Sequence, residues 1–200
     1  ATRALTFYRP APPRVVTVPK PIERTVKSFS FLDTADIQYL RDLTYWIMRP
    51  PQRREHENLT LKGKRAFIIE FWRSRDPDLS TKENEELDDA LERFTYANDK
   101  FSYSSKLRDG WKSDRGRVIM KYGVPDNVIN MPMPSISNDI TGFGAWERWD
   151  YDRIQGGVYF IFSDENGYGY YRLEHSNAKG ERFDRQLESR INTIFRASGG

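Results

Sequence analysis

The spacing of apolar residues changes once along this chain, and that change restricts the folds it can adopt. Between residues 33 and 103, apolar side chains recur every three or four positions, which is the spacing of one helix face. From residue 146 onward, the stretches WERWDYDR, GGVYFIFSD and GYYRLEHS are aromatic and β-branched, which is typical of strands. The sequence therefore predicts an α+β domain with N-terminal helices, a small antiparallel sheet of about three strands and a C-terminal helix.

The predicted helices are bounded by residues that start or stop helices. They are expected from Asp33 or Thr34 to Pro50-Pro51, from Thr60 to 75–77, and over about 82–103. Ser80 and Glu83 stand at capping-box spacing and are expected to open the third helix. A final helix over about 180–196 has an apolar face, including Phe183 and Leu187, which is expected to lie on the sheet.

Two connections are expected in the second half. Residues 127–143 contain three prolines, two glycines and little periodicity, so they are predicted to form a long loop. The sequence DENG, residues 164–167, is hairpin chemistry, because Asn166 and Gly167 can adopt positive φ.

The first 32 residues differ from the rest in composition. They carry six basic residues and one acid, and five prolines stand between Pro10 and Pro21. Proline lacks an amide donor and fixes φ, so this segment is predicted to be an extended, basic arm ahead of a single α+β domain over residues 33–200. Residues 14–18, RVVTV, could add a strand to a sheet edge, although a simple linker has the same composition. The residues expected to contact a partner are Phe7, Tyr8, Arg9, Arg14, Val16 and Val18.

The stretch GWKSDRGRVIMKYGVPD, residues 110–126, has the order of a short helix between a cap and a stop. Ser113 or Asp114 can cap the helix, Gly123 suits its C-terminal end, and Pro125 prevents it from continuing. Trp111 precedes the cap and can fold back on the helix. The stretch is therefore predicted to be a structural corner and not an active site.

Four motifs in this order resemble the GWxTD domain, a bacterial family of unassigned function. They are FWRSRDP (71–77), NEELDDALERFTYANDKF (84–101), the 110–126 stretch and FSDENGYGYYRLEHS (162–176). The name motif normally has threonine where this chain has Ser113, and serine caps a helix as well as threonine does. A looser, fold-level similarity links YGVPD and the strands that follow to small outer-membrane assembly lipoproteins of the SmpA/OmlA type, which are adaptors.

The resemblance implies a set of structural motif residues and no catalytic ones, because the family has no established active site. These residues are Trp72, Arg75, Asp76, Gly110, Trp111, Ser113, Asp114, Arg115, Gly116, Gly123 and Pro125. Members of the family commonly carry export signals, and a chain that begins at Ala1 fits a processed, exported protein. The expected location is the bacterial cell envelope or the outside of the cell.

Arg115 and Arg117 are the most plausible ligand-binding residues in the corner, because arginines near a helix N-terminus can clamp a carboxylate or phosphate. The competing interpretation pairs them with nearby acids such as Asp109 and Asp114, and we prefer it because such pairs commonly fix a corner.

Several site types find little support in the sequence. The chain has no cysteine, so disulfides, thiolate catalysis and cysteine-ligated metals are excluded. Its two histidines, His56 and His175, are far apart; we expect His175 to be structural and His56 to lie in a solvated, charged loop. No metal or cofactor is predicted, and no apolar stretch is long enough to span a membrane.

These observations favour a non-enzymatic structural or accessory subunit of a larger assembly, which docks on other protein subunits through the N-terminal arm. The alternative is a hydrolase of envelope polymer that uses strand carboxylates near Asp150 and Asp164. Nucleic-acid binding is not expected, because the arm has a modest charge density and the rest of the chain adds no basic stripe.

Overall fold

The computed structural model of the chain describes residues 6–8, 33–81, 83–102, 109–131 and 144–190. Its elements are β1 (Thr6–Tyr8), α1 (Thr34–Thr44), α2 (Pro50–Asn58), α3 (Leu61–Arg73), α4 (Glu85–Phe101), a 3₁₀ turn (Gly110–Lys112), α5 (Asp114–Tyr122), β2 (Asn127–Met131), β3 (Ala145–Tyr151), β4 (Val158–Asp164) and β5 (Arg172–Ser176). Residues 185–190 form the described part of a C-terminal helix, α6. The α+β class and the C-terminal helix are confirmed.

The chain groups into two compact units. The helical unit consists of Val15–Tyr96, and the sheet unit consists of Ala1–Arg14 together with Ala97–Gly200. This grouping differs from the predicted division into an arm over residues 1–32 and a domain over 33–200, because strand β1 links the start of the chain to the sheet.

Helix α1 is capped as the sequence predicts. Asp33 accepts a hydrogen bond from the Asp36 amide at 2.8 Å, and Asp36 accepts one from the Asp33 amide at 3.2 Å, which completes a capping box. The helix ends at Thr44, before the proline pair that was expected to stop it.

Pro50 and Pro51 open a second helix that sequence reasoning missed. Proline suits the first turn of a helix, where its missing N–H would have no intrahelical partner, and α2 begins at Pro50. The expectation that His56 lies in a solvated loop was therefore wrong, because His56 is a buried residue of α2.

The next two helices begin one to three residues later than the first expectations. Thr60 caps α3 by accepting the Gly63 amide at 3.3 Å. Asn84, and not Ser80, caps α4, since its Oδ1 accepts the Leu87 amide at 2.9 Å. Ser80 instead bonds to Asp78 in the preceding turn. Asn84 also donates to the Trp72 carbonyl at 2.8 Å, so one side chain connects the end of α3 to the start of α4.

The core of the helical unit is built from one apolar stripe of each long helix. Buried residues include Ile37, Leu40 and Leu43 of α1, Ile68, Phe71 and Trp72 of α3, and Leu87, Ala90 and Phe94 of α4. This burial is the main stabilising contribution to helices of this length.

The sheet unit contains a five-stranded antiparallel sheet in the order β1-β2-β3-β4-β5. The strand count differs from the expected three because residues 127–131 form β2 and residues 6–8 form β1. The prediction of a loop was therefore wrong for 127–131, which pair with β3 from Asn127 opposite Asp150 to Met131 opposite Trp146. The rest of the predicted loop, from 132 to 143, lies outside the described residues.

Strand alternation gives the sheet two buried faces. On one face, Trp149 and Phe162 have ring centroids 4.7 Å apart, and Tyr122 of α5 lies 4.9 Å from Phe160. On the other face, Trp146, Ile161 and Leu187 of α6 form a buried cluster, with Tyr159 packed against it. Two-sided burial explains why the β4 sequence is almost continuously apolar.

The C-terminal helix begins later than the sequence predicts. Asp184 accepts the amides of Gln186 and Leu187, which caps α6 before residue 185 instead of near 180. Leu187 is buried as expected, whereas Phe183 precedes the helix and is largely exposed.

Two negative findings apply to the described part of the chain. Its helices are too short or too polar to cross a lipid bilayer. Its histidine, aspartate and glutamate side chains do not gather in a group that could hold a metal ion.

Candidate functional site

The corner formed by residues 110–126, the motif corner, begins with a serine that makes two hydrogen bonds. Ser113 Oγ accepts the Gly116 amide at 2.9 Å and donates to the Gly110 carbonyl at 2.6 Å. Of the two expected caps, Ser113 is therefore the one that caps α5.

Gly110 and Gly116 are required by close backbone packing. A Cβ on Gly116 would lie 2.1 Å from the Gly110 carbonyl oxygen and 2.7 Å from Trp111 Cα. A Cβ on Gly110 would lie 2.1 Å from the Ala97 carbonyl oxygen at the end of α4. Neither site can hold a side chain unless backbone moves.

Trp111 lies inside the corner in the 3₁₀ turn. Its ring is buried, and its backbone amide donates to Asn98 Oδ1 of α4 at 3.3 Å. Gly123 ends α5 at a φ of 82°, its amide donating to the Ile119 carbonyl, and Tyr151 donates to the Gly123 carbonyl at 2.9 Å. Pro125 is buried in the connection to β2.

Arg115 crosses from α5 to the sheet and is almost fully enclosed. It donates to Glu147 Oε1 at 3.1 Å and to the Gly169 carbonyl at 3.0 Å, with side-chain exposures of 7% for Arg115 and 15% for Glu147. Its guanidinium lies 4.6 Å from the Phe101 ring centroid and 4.1 Å from that of Tyr171. Burial lowers the pKa of Arg115, and Glu147 opposes that shift.

Arg117 engages a second buried carboxylate. Its guanidinium bonds to Glu181 Oε2 at 2.7 Å, while Lys121 and Tyr122 both donate to Oε1. Burial acts to raise the pKa of Glu181, but the three donors outweigh it and the pKa is lowered. Burial and the bond to Glu181 raise the pKa of the Tyr122 hydroxyl.

The two corner arginines are thus paired, as the preferred interpretation held, but with different acids. The partners are Glu147 and Glu181, far away in sequence, whereas Asp109 pairs with Lys112 and Asp114 accepts the Leu173 amide at 2.8 Å. No local signal points to such long-range partners, so the sequence alone could not identify them.

Trp72, Arg75 and Asp76 lie in the helical unit, at the end of α3. Trp72 is fully buried, and its carbonyl accepts the bond from Asn84. Arg75 donates to the Phe71 carbonyl at 3.3 Å, with its guanidinium 3.7 Å from the Phe71 ring centroid. Asp76 accepts the Asp78 amide at 3.1 Å. All three contacts close the end of a helix.

The acids suggested for hydrolysis do not converge. Asp150 lies opposite Tyr159 and Asp164 opposite Ala145, so the two positions are separated by five residues along β3, about 17 Å from the usual rise per residue. The odd separation places them on opposite faces of the sheet. Asp164 accepts the amides of Tyr168 and Gly169, and Asp150 pairs with Arg148 at 2.8 Å.

His175 has the structural environment expected for it. Its Nδ1 accepts the Asp184 amide at 2.9 Å, which leaves the proton on Nε2, 3.1 Å from the Tyr159 hydroxyl. Burial lowers the pKa of His175, because the imidazolium would lose solvation and the bond from Asp184.

His56 lies at a pocket that sequence reasoning missed. The pocket, of about 300 Å³, is bounded by α1, α2 and α3 and is called the histidine pocket below; its polar wall consists of Gln38, Arg41, His56, Glu57 and Lys64. The charged sequence RREHEN gave no sign that one of its side chains points inward.

The N-terminal arm is described only at residues 6–8. These residues pair antiparallel with β2, with Phe7 opposite Ile129 and Tyr8 opposite Val128. Arg9, Arg14, Val16 and Val18 lie outside the described residues, as does the expected strand over 14–18. A role for any of them in partner binding stays a prediction.

Fold and site together define an α+β protein whose most distinctive residues hold backbone elements together. The model of the GWxTD domain matches residues 20–189, and the chain belongs to the GWxTD domain family. Comparisons with curated proteins and with solved structures gave no match, so the likeness to outer-membrane assembly lipoproteins is not confirmed.

Proposed function

We propose that this chain is a non-enzymatic structural or accessory subunit of a larger assembly in the bacterial envelope or outside the cell. In this role its N-terminal arm docks on other protein subunits. The observation that carries the proposal is the pairing of β1 with β2, since it indicates that arm residues can extend a sheet edge through main-chain hydrogen bonds.

The chemistry of strand addition suits an arm of this composition. Main-chain bonds give affinity with little dependence on side chains, and prolines such as Pro10 and Pro12 lack the amide that a longer ladder would need. A short pairing segment followed by prolines is therefore a bounded docking element that does not promote open-ended aggregation.

The motif corner supports a scaffolding role. Arg115, Arg117 and Asp114 each bond to another part of the same unit, so the charged groups that a substrate would need are engaged. The alternative, hydrolysis of envelope polymer, has less support, because retaining and inverting glycosidases hold their two carboxyl groups only about 5–9.5 Å apart.

The test blocks the strand without removing the arm. Phe7→Pro deletes a backbone donor in β1, whereas Ala11→Pro adds a proline between two existing ones and serves as the matched control. We expect Phe7→Pro to release the subunit from its assembly, measured by size-exclusion chromatography and chemical crosslinking, and Ala11→Pro to stay assembled. Retention of Phe7→Pro at the level of the unmodified chain would contradict docking through this strand.

A further inference from the structure

The histidine pocket has a polar group that the protein itself does not satisfy. His56 is 3% exposed, and its Nε2 atom has no hydrogen-bond partner among the described residues. Its ring lies edge-on to Phe67, with the centroids 5.4 Å apart. Leaving a buried ring nitrogen without a partner is costly, so such groups are rare and often belong to a site that a ligand completes.

The charges around the pocket are unequal. Arg41 is neutralised by Asp42 at 2.9 Å and by Glu57 at 3.3 Å. Lys64, one helical turn into α3, makes no ion pair within the described part of the chain. The pocket wall therefore has one cation in excess.

The adjacent helix end adds to this positive charge. Helix α3 begins at Leu61 in the pocket wall, so the positive end of its dipole lies there. Ile37 and Leu61 give the same wall an apolar part, which favours a ligand whose charged group is attached to carbon.

We propose that the histidine pocket binds a small oxyanion, a carboxylate or a phosphate group, with Lys64 as the counter-ion and the His56 ring as a hydrogen-bond donor. An oxyanion only accepts hydrogen bonds, so it matches both groups. This site goes beyond the docking role and is independent of it, because every residue involved belongs to the helical unit.

The pKa of His56 makes binding measurable. Burial lowers this pKa, the charges of Lys64 and Arg41 lower it further, and Glu57 acts in the opposite direction. A bound anion would favour the imidazolium and raise the pKa. His175, the second histidine of the chain, is buried in the sheet unit and provides an internal control.

The experiment titrates the full chain with inorganic phosphate and, separately, with acetate, and follows the ring signals of both histidines by NMR. We expect a saturable shift of the His56 signals with a higher His56 pKa, and no change at His175. Tighter binding of phosphate than of acetate would assign the group as a phosphate, and the reverse order would assign it as a carboxylate.

Two variants test the named residues. Lys64→Met is expected to weaken binding about tenfold or more, as loss of a partly enclosed counter-ion implies, while Lys62→Met on the exposed side of α3 is the matched control. His56→Phe keeps a ring against Phe67 and should lose the binding heat seen by calorimetry. Equal affinities of the Lys64→Met and Lys62→Met variants, shifts at both histidines alike, or shifts that never saturate would overturn the proposal.

Discussion

The two units treat their buried polar atoms differently. In the described residues of the sheet unit, the buried side-chain nitrogens and oxygens all have hydrogen-bond partners, and the corner motif supplies many of them. In the helical unit, His56 Nε2 and Trp72 Nε1 have none among the described residues. The comparison indicates that the sheet unit is a completed scaffold, whereas the helical unit retains binding capacity that its own side chains do not use.

The largest effect should come from filling the gap between the corner glycines. Gly116→Ala places a Cβ against the Gly110 carbonyl, so we expect a loss of about 3 kcal/mol in the free energy of unfolding. Gly63→Ala is the control: its Cβ would meet only Leu59 and Thr60 side-chain atoms, and the change should stay within about 1 kcal/mol. Urea unfolding measures both; equal midpoints would show that the corner is not tightly packed.

Removing the enclosed arginine should have an effect nearly as large. Arg115→Met leaves Glu147 charged and largely buried, at an expected cost of about 3 kcal/mol. Lys112→Met breaks a pair that is half exposed on both sides and should change stability by less than about 0.5 kcal/mol. Urea midpoints report the two losses, and a small loss for Arg115→Met would mean that the Glu147 carboxylate remains solvated in the variant.

A pair of tryptophan variants compares the two units directly. Trp149 Nε1 donates to Glu147 Oε2 at 3.1 Å, whereas the equally buried Trp72 Nε1 has no partner in the described chain. Both Trp→Phe changes remove similar volume, so Trp149→Phe should be more destabilising by about 1–2 kcal/mol. Differential scanning calorimetry gives the two values. Equal losses would mean that Trp72 Nε1 does have a partner in solution.

The smallest effect is a pH dependence from His175. Its pKa is lowered below the ordinary 6.5, so between 6.5 and the folded value the unfolded chain binds the proton and the folded chain does not. Stability should therefore fall as pH decreases below 6.5, by about 1.4 kcal/mol for each unit of difference between the two pKa values.

His175→Asn retains an acceptor near Nδ1 without the titration. Urea midpoints measured from pH 7.5 to 5 should show a shallower decline for this variant, while His56 contributes the same slope to both chains because its pKa is also lowered. An unchanged decline in His175→Asn would show that His175 is not responsible.

Local rules predicted the elements whose residues carry their own start and stop signals. Asp33, Thr60 and Ser113 cap helices where their side chains can reach nearby amides, and the aromatic strands β3 to β5 follow from alternation alone. These features depend on a few neighbouring residues, so the sequence suffices to locate them.

Other elements depend on distant partners or on the position of a proline. Strand β2 has a weak local pattern and is defined by its pairing with β3, and β1 by its pairing with β2. Pro50 indicates a helix end or a helix start equally well until the preceding helix is seen to end at Thr44. The same holds for Glu147, Glu181 and the histidine pocket, since residues far apart in sequence form each site.

The contact between Gly110 and Gly116 bears on what kinship can convey for proteins of this kind. If this signature is kept by backbone atoms that touch, a search that finds it detects a way of folding, while the work each relative performs is free to diverge. An activity found in one relative should then be transferred to another only after the surfaces outside residues 110–126 have been compared.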